Sequence, residues 1–180
     1  FKNVVASSGT ALTAEQLKLI KRYTNNIALC FDMDEAGQIA ADRGVSSAMA
    51  EEMNIKVITL PPGSKDPDEV IKKDPALWTQ AVKEAKHVMD YNFEKIFSKL
   101  DLEKVEDKRE AVKIILPILA KFKNKIERDF WLKKLSEKID IEERVIRDIF
   151  SNSFKKEKTK KEEPPAPTEE ARVSREEKLS

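Results

Sequence analysis

The sequence predicts an α/β fold with three parts: a parallel sheet with flanking helices over residues 1–85, an all-α helical bundle over 86–152, and a disordered C-terminal linker over 153–180. Three observations lead there. Apolar runs of strand length at 27–31 and 55–60 alternate with segments of helical periodicity. Beyond about Leu77 the strand runs stop while helical faces continue. From 153 onward lysines and glutamates surround Pro164-Pro165-Ala166-Pro167, and large apolar side chains nearly vanish, so that segment has no core to bury.

The elements follow in order. Asn3 to Ala6 reads as a short strand leading into a turn at Ser7-Ser8-Gly9-Thr10. Thr13 with Gln16 three residues on is a capping box, opening a helix to about Tyr23. Ile27 to Phe31 is a strand of buried type, and Cys30 inside it reads as a small core residue. A long helix then runs from Asp34 to about Met53. Its inner stripe of Ala36, Ile39, Ala40, Ala48 and Met49 is small enough for close packing on a sheet. Ile55 to Leu60 is the next strand, stopped by Pro61-Pro62-Gly63. Strands alternating with helices imply parallel pairing with right-handed crossovers, which puts the carboxyl ends of the strands along one edge. The loops 7–10, 32–37 and 61–69 therefore share that edge. Helices fit 75–86, 87–100, 107–122, 124–138 and 141–151. Ala111, Ile114, Ile115, Ile118, Leu119 and Phe122 mark one helical face, with a bend expected at Pro117. Asp140 with Glu143 reads as the capping pair of the last helix. Ser174 to Leu179 carries the start of a further capping signature.

Composition excludes several classes. The 180 residues hold 34 basic and 33 acidic side chains, a net charge of +1, so any nucleic-acid contact must be local rather than driven by a global field. One cysteine rules out disulfide frameworks and zinc clusters within the chain. No apolar run is long enough to span a bilayer and no signal peptide is present, so a cytoplasmic protein is expected.

The chemistry concentrates in carboxylates. Asp32 and Asp34 stand one residue apart where the strand 27–31 ends, and their mutual repulsion is best explained by a cation that both hold. Asp32 belongs to the strand end and caps nothing. Asp66 and Asp68 follow the next strand, at the same edge. Four aspartates offer the hard oxygen donors that magnesium prefers, and two ions would suit phosphoryl chemistry. The alternative is capping: Asp66 suits an N-cap, Pro67 the first helical position, Asp68 and Glu69 the first turn, and Asp74-Pro75 repeats that pattern. Asp34 also suits a cap. Other candidates carry less. His87, the only histidine, reads as a partly buried packing residue, and Trp78 and Trp131 as core. The 7–10 segment is a phosphate cradle or an ordinary tight turn. Arg43 is a phosphate contact or a solvated side chain. The 155–161 lysines are solubilising linker or a weak nucleic-acid contact.

Three ordered motifs resemble the bacterial DnaG-type DNA primases: Ser7-Ser8-Gly9-Thr10-Ala11-Leu12-Thr13; Phe31-Asp32-Met33-Asp34-Glu35-Ala36-Gly37 with Ala40-Ala41 and Arg43; and the run from Leu60 to Glu69. Met33 stands where members commonly carry glycine. The resemblance is strong over 1–85 and is one of pattern over 86–152. It implies a partial TOPRIM domain at 1–85, a helical subdomain closing the RNA polymerase domain at 86–152, and a linker toward a missing helicase-binding domain. It implies catalytic roles for Asp32 and Asp34, and Mg2+ or Mn2+ held by Asp32, Asp34, Asp66 and Asp68. Zn2+ is expected only in a missing N-terminal domain. The implied partners are a single-stranded DNA template, nucleoside triphosphates, an RNA primer and, through the missing C-terminal domain, the replicative helicase; no membrane is implied. Since the family's catalytic glutamate would lie upstream of Phe1, the expectation is a fragment cut at both ends and inactive alone. The competing classes are another TOPRIM enzyme, a topoisomerase or nuclease, and a non-catalytic adaptor whose acidic loops are helix caps.

Overall fold

The computed structural model describes residues 2–7, 12–31 and 35–162, and their side chains except at 35–41 and 155–162. Helix α1 (Ala14–Lys21) opens on the expected capping box. The Gln16 amide donates to Thr13 Oγ1 (3.3 Å) and the Thr13 amide to Gln16 Oε1 (2.9 Å). Its inner face buries Leu17 completely.

Strand β1 (Asn26–Leu29) and strand β2 (Asn54–Val57) pair in parallel, with Ile27 opposite Ile55 and Leu29 opposite Val57. Helix α2 (Glu35–Ala50) is the crossover between them. At its far end the Met53 amide reaches back to the Ala48 carbonyl (3.1 Å) while Glu52 takes a left-handed φ of 55°, the geometry of a Schellman turn usually filled by glycine. The Lys21 ammonium donates to the Glu51 carbonyl and ties α1 to this end of α2.

Two expectations for the sheet are corrected. Residues 3–6 form no strand: Val4 and Val5 are 65% and 74% exposed, and among the described residues they have no ladder partner to give the segment a buried face. The sheet is also mixed rather than parallel. A third strand, β3 (Lys86–His87), pairs antiparallel with β2 through Lys56–His87 and Val57–Lys86, giving the order β1-β2-β3. Two residues are too few to leave a periodic signal, so the sequence reads them as helix.

Between β2 and β3 lie α3 (Pro67–Lys73) and α4 (Pro75–Lys83), each with aspartate at its N-cap and proline inside its first turn. Ile58, Leu60, Val70, Trp78, Ala81 and Ala85 form one apolar cluster under this segment, with Cys30 packed against it. Cys30 and Trp78 thus take the core roles expected of them.

The remaining elements are helical: α5 (Val88–Phe97), α6 (Val105–Leu119), α7 (Lys125–Ile139) and α8 (Glu143–Glu162). Helix α5 packs on β2 and on α6, and α6 on α7. Their core includes Met89, Phe93, Ile115, Leu119, Trp131 and Leu135. Helix α6 runs through Pro117 to Leu119. Asp140, expected to open the last helix, instead closes α7 with φ 51°, while the Ile141 amide bonds the Ser136 carbonyl (3.1 Å). Aspartate is one of the few side chains that tolerates this conformation.

From Arg144 the chain belongs to a second unit. Helix α8 continues to Glu162, past the expected linker boundary at 153, and the Phe150 ring meets that of Phe154 one turn away, tilted by 47° (4.8 Å between centroids). Lysine and glutamate are strong helix formers, and composition alone does not separate a solvated helix from a linker. The expected linker beyond 162 lies outside the described residues.

Candidate functional site

The best described acidic segment is the loop leaving β2. Gly63 has φ 83°, and the Ser64 amide donates to the Pro61 carbonyl (3.2 Å), with proline and glycine at the two central positions of the turn. That is a type II turn, which needs a positive φ at its third residue. A β-carbon at Gly63 would meet nothing within 4 Å, so glycine serves the backbone there and not packing. The turn delivers Asp66 to the N-cap of α3. Asp66 Oδ1 accepts the Glu69 amide (2.8 Å), and Glu69 Oε2 accepts the Lys65 amide (2.9 Å). The reciprocal role of Glu69 was not anticipated. Its signal was the acidic residue three after the cap.

Asp68 is exposed and pairs with Lys72 one turn on (2.7 Å), and this contact raises the Lys72 pKa above its ordinary value. An exposed pair of this kind contributes little and leaves the carboxylate open to competition by a cation. Capping likewise occupies Asp66 through one oxygen. Both side chains therefore behave as the capping alternative describes, while the donor chemistry still suits a hard divalent cation.

Asp32 and Asp34 lie outside the described residues, as do Ser8, Gly9 and Thr10. Among the described residues no three His, Cys, Asp or Glu side chains gather as a metal-binding group. What the structure does place is the approach to Asp32. A ladder bond runs from the Ile58 amide to the Leu29 carbonyl (2.8 Å), and Cys30 and Phe31 follow. Asp32 is thus next in sequence to a strand end that lies beside the chain leading to Asp66. Arg43, the phosphate candidate, is exposed.

His87 takes a packing role. Its ring stacks on Trp131 (4.6 Å between centroids), and Nδ1 accepts the Met89 amide as the cap of α5 (3.1 Å). Nε2 stands 3.7 Å from Glu127. Burial, reinforced by Lys134 and Lys56 against the opposing pull of Asp90, lowers the histidine pKa, so at neutral pH this is not an ion pair. Burial, with Glu52 nearby, raises the Glu127 pKa. No helix among the described residues is long and apolar enough to cross a membrane.

Comparison with known proteins gives concordant matches. Residues 1–71 match a family model described as Toprim-like, and residues 89–144 one described as the DnaB-helicase binding domain of primase. A DNA primase of Clostridium acetobutylicum is 37% identical over 155 residues, covering 86% of this chain and 26% of that protein. The Buchnera aphidicola DNA primase is 30% identical over 141 residues, covering 76% of the chain and 24% of the relative. The chain thus spans about a quarter of the length of these curated relatives. A DNA primase domain from Pseudomonas aeruginosa superposes with a TM-score of 0.70 at 26% identity, over 83% of this chain and 48% of that one. A DnaG catalytic core does so at 0.65 and 25% identity, over 78% and 46%. A DnaG catalytic domain bound to single-stranded DNA gives 0.65 at 25% identity, over 77% and 45%. The mixed sheet with its flanking helices is accordingly a TOPRIM α/β fold followed by a helical region. Two primase-type models in order along one chain, primase relatives over most of its length and the catalytic-core fold together show that the chain belongs to the bacterial DnaG-type DNA primase family.

Proposed function

We propose that the complete gene product carrying this chain synthesises short RNA primers on single-stranded DNA during replication, and that this chain supplies part of its catalytic domain. One observation carries the reading. In a chain whose relatives are DNA primases, the strand end leading to Asp32 and the loop bearing Asp66 leave the same edge of a parallel strand pair. A primer 3′ hydroxyl would attack the α-phosphate of an incoming nucleoside triphosphate, with pyrophosphate leaving. We assign Asp32, Asp34, Asp66 and Asp68 as the carboxylates that hold Mg2+ or Mn2+, with Asp32 and Asp34 catalytic. When bound, such ions supply stabilisation of the charge that develops on the transferred phosphate. The chain's own contribution is rigidity: the type II turn at Gly63 and the Asp66–Glu69 cap hold one acidic segment on α3.

By the same reading 1–85 is the partial catalytic domain, 86–152 the helical part that closes it and 153 onward the linker. The template is single-stranded DNA, as in the DnaG complex with ssDNA that this fold resembles. Nucleoside triphosphates and the RNA primer are the other ligands, and the location is the cytoplasm. The replicative helicase is a further partner. The match over 89–144 supports a contact within α5 to α7, whereas the resemblance implies one through a domain beyond the linker. Primer synthesis by the complete gene product on a single-stranded template tests the proposal. Loss of synthesis in Asp32→Asn with the fold retained is the expected result, and cleavage or relaxation of DNA in place of synthesis would refute it.

A further inference from the structure

With a net charge of only +1, any nucleic-acid contact of this chain needs a local basic excess, and α7 carries one. Residues 121–139, the turn after α6 together with α7, hold seven basic and three acidic side chains. Lys121 is engaged, its ammonium donating to Ser46 Oγ (2.8 Å). Lys123, Lys125 and Lys133 are exposed and, among the described residues, pair with no carboxylate. Phe130 of α7 is 57% exposed, with exposed Ile126 one turn before it and Lys133 one turn after it on the same face. The ring is braced. Buried Trp131 meets it edge to face (5.0 Å, 84°), and Lys134, bonded to Asp90 (2.6 Å), holds its ammonium 5.9 Å from the ring centre. Of the three acids, Glu127 stands beside His87, while Asp129 and Glu137 are exposed, so the patch is basic in balance rather than throughout. A lone exposed aromatic is ordinary. An exposed, braced ring among open ammonium groups is the combination that single strands use, phosphates taking the cations and bases the ring face.

We propose that this part of α7 is a docking surface for single-stranded DNA, with the Phe130 ring stacking on a base and Lys123, Lys125 and Lys133 holding phosphates. Charge decides the occupant. A partner helix would use Ile126 and Phe130 but not the open lysines, whereas a polyanion with aromatic bases uses both. At the helical rise, Lys125 stands about 7.5 Å before Phe130 along the axis and Lys133 about 4.5 Å after it, so one strand lying along α7 meets all three. Every base has a π-face, and the contact is therefore tolerant of sequence. The inference rests on the reading above that the complete gene product takes a single-stranded template. It adds a place on the helical region, rather than on the acidic loop, where that strand is held.

The test is fluorescence anisotropy of a labelled oligodeoxythymidylate, and of a labelled oligouridylate, with the complete gene product as salt is raised. Phe130→Ala is expected to weaken binding roughly fivefold or more without moving the salt dependence, and Phe130→Trp to keep the affinity. Lys123→Gln, Lys125→Gln and Lys133→Gln combined are expected to flatten the slope of log K against log salt by about 2, since each phosphate contact on a single strand contributes about 0.7. The same change of charge at Lys18, Lys83 and Lys99, exposed elsewhere, is expected to leave the slope as in wild type. Binding by wild type with affinity and slope unchanged in the Phe130 and lysine variants overturns the surface and leaves the template reading standing. A wild type that binds neither oligonucleotide overturns the template reading, and the surface with it. Loss confined to the oligouridylate overturns DNA as the occupant. Variants that bind DNA as wild type does but bind the replicative helicase more weakly overturn the proposal in favour of that protein. Should Phe130→Ala fail to fold, the triple lysine variant, which alters exposed side chains only, carries the test.

Discussion

Asp66 is assigned two duties, and substitution separates them. As a cap, its Oδ1 accepts the Glu69 amide at 2.8 Å while Glu69 returns a bond to the Lys65 amide at 2.9 Å. Alanine removes the acceptor and leaves the Glu69 amide to water, which costs about 1 kcal/mol at an N-cap. Asparagine caps about as well as aspartate and loses only the interaction of its charge with the helix terminus, about 0.3–1 kcal/mol. For a folded unit of this size, 1 kcal/mol corresponds to a melting shift of roughly 3–5 °C. As a metal ligand the ranking changes, because asparagine withdraws the anionic donor as completely as alanine does. Thermal unfolding should therefore order the variants as wild type, Asp66→Asn, Asp66→Ala. Mn2+ titration of the complete gene product should show both variants weakened alike. Equal destabilisation by asparagine and alanine would refute the cap. Undiminished Mn2+ affinity in Asp66→Asn would refute the ligand and leave Asp66 as a cap alone.

Three further outcomes follow from local geometry. Gly44→Ala should stabilise the chain by about 0.5–1 kcal/mol in denaturant melts, since glycine in a helix interior is costly and the new β-carbon makes ordinary 3.5 Å contacts; a loss would show that the space is tighter than the structure has it. Asp140→Gly should also stabilise, by about 0.5–1 kcal/mol, because the left-handed φ of 51° costs any residue with a β-carbon; an unchanged or lower midpoint would refute that strain. His87 makes stability depend on pH: its folded pKa lies below 6.5, so the unfolded chain takes up the proton first. That stability is present above about pH 6.5 and is lost as pH falls through the folded value, where Nδ1 can no longer accept the Met89 amide. Glu127 acts in the opposite sense, its contribution being full below about pH 4.5 and lost as pH rises through its raised value. Unfolding midpoints at pH 7.5 and 5.5 should thus differ more in wild type than in His87→Asn, which keeps a cap acceptor without the titration, and equal differences would refute the assignment.

The sequence by itself determined the features that depend on near neighbours. The Thr13–Gln16 box, the aspartate–proline starts of α3 and α4 and the turn at Gly63 all follow from short-range backbone chemistry, where the residue type names the hydrogen bond it will make. The burial of Ala48, Met49 and Trp131 followed from periodicity, because the face presented to a core is set by helical or strand repeat. The family was legible in three short motifs for the same reason. Tertiary structure decided what depends on partners distant in sequence. Val4 and Val5 look like a strand, yet a strand forms only beside another strand. Lys86 and His87 look helical, yet β2 offers them an edge. Asp140 suits either end of a helix, and packing of α7 fixed it as a terminus. Phe31 reads as one more core residue of a strand, yet its ring lies by Gly44 of α2, 3.5 Å from where a β-carbon there would stand, while Cys30 packs against the cluster around Val70. A contact between residues far apart in sequence leaves no mark in the pattern of either, and that is why such contacts appear only in the folded chain.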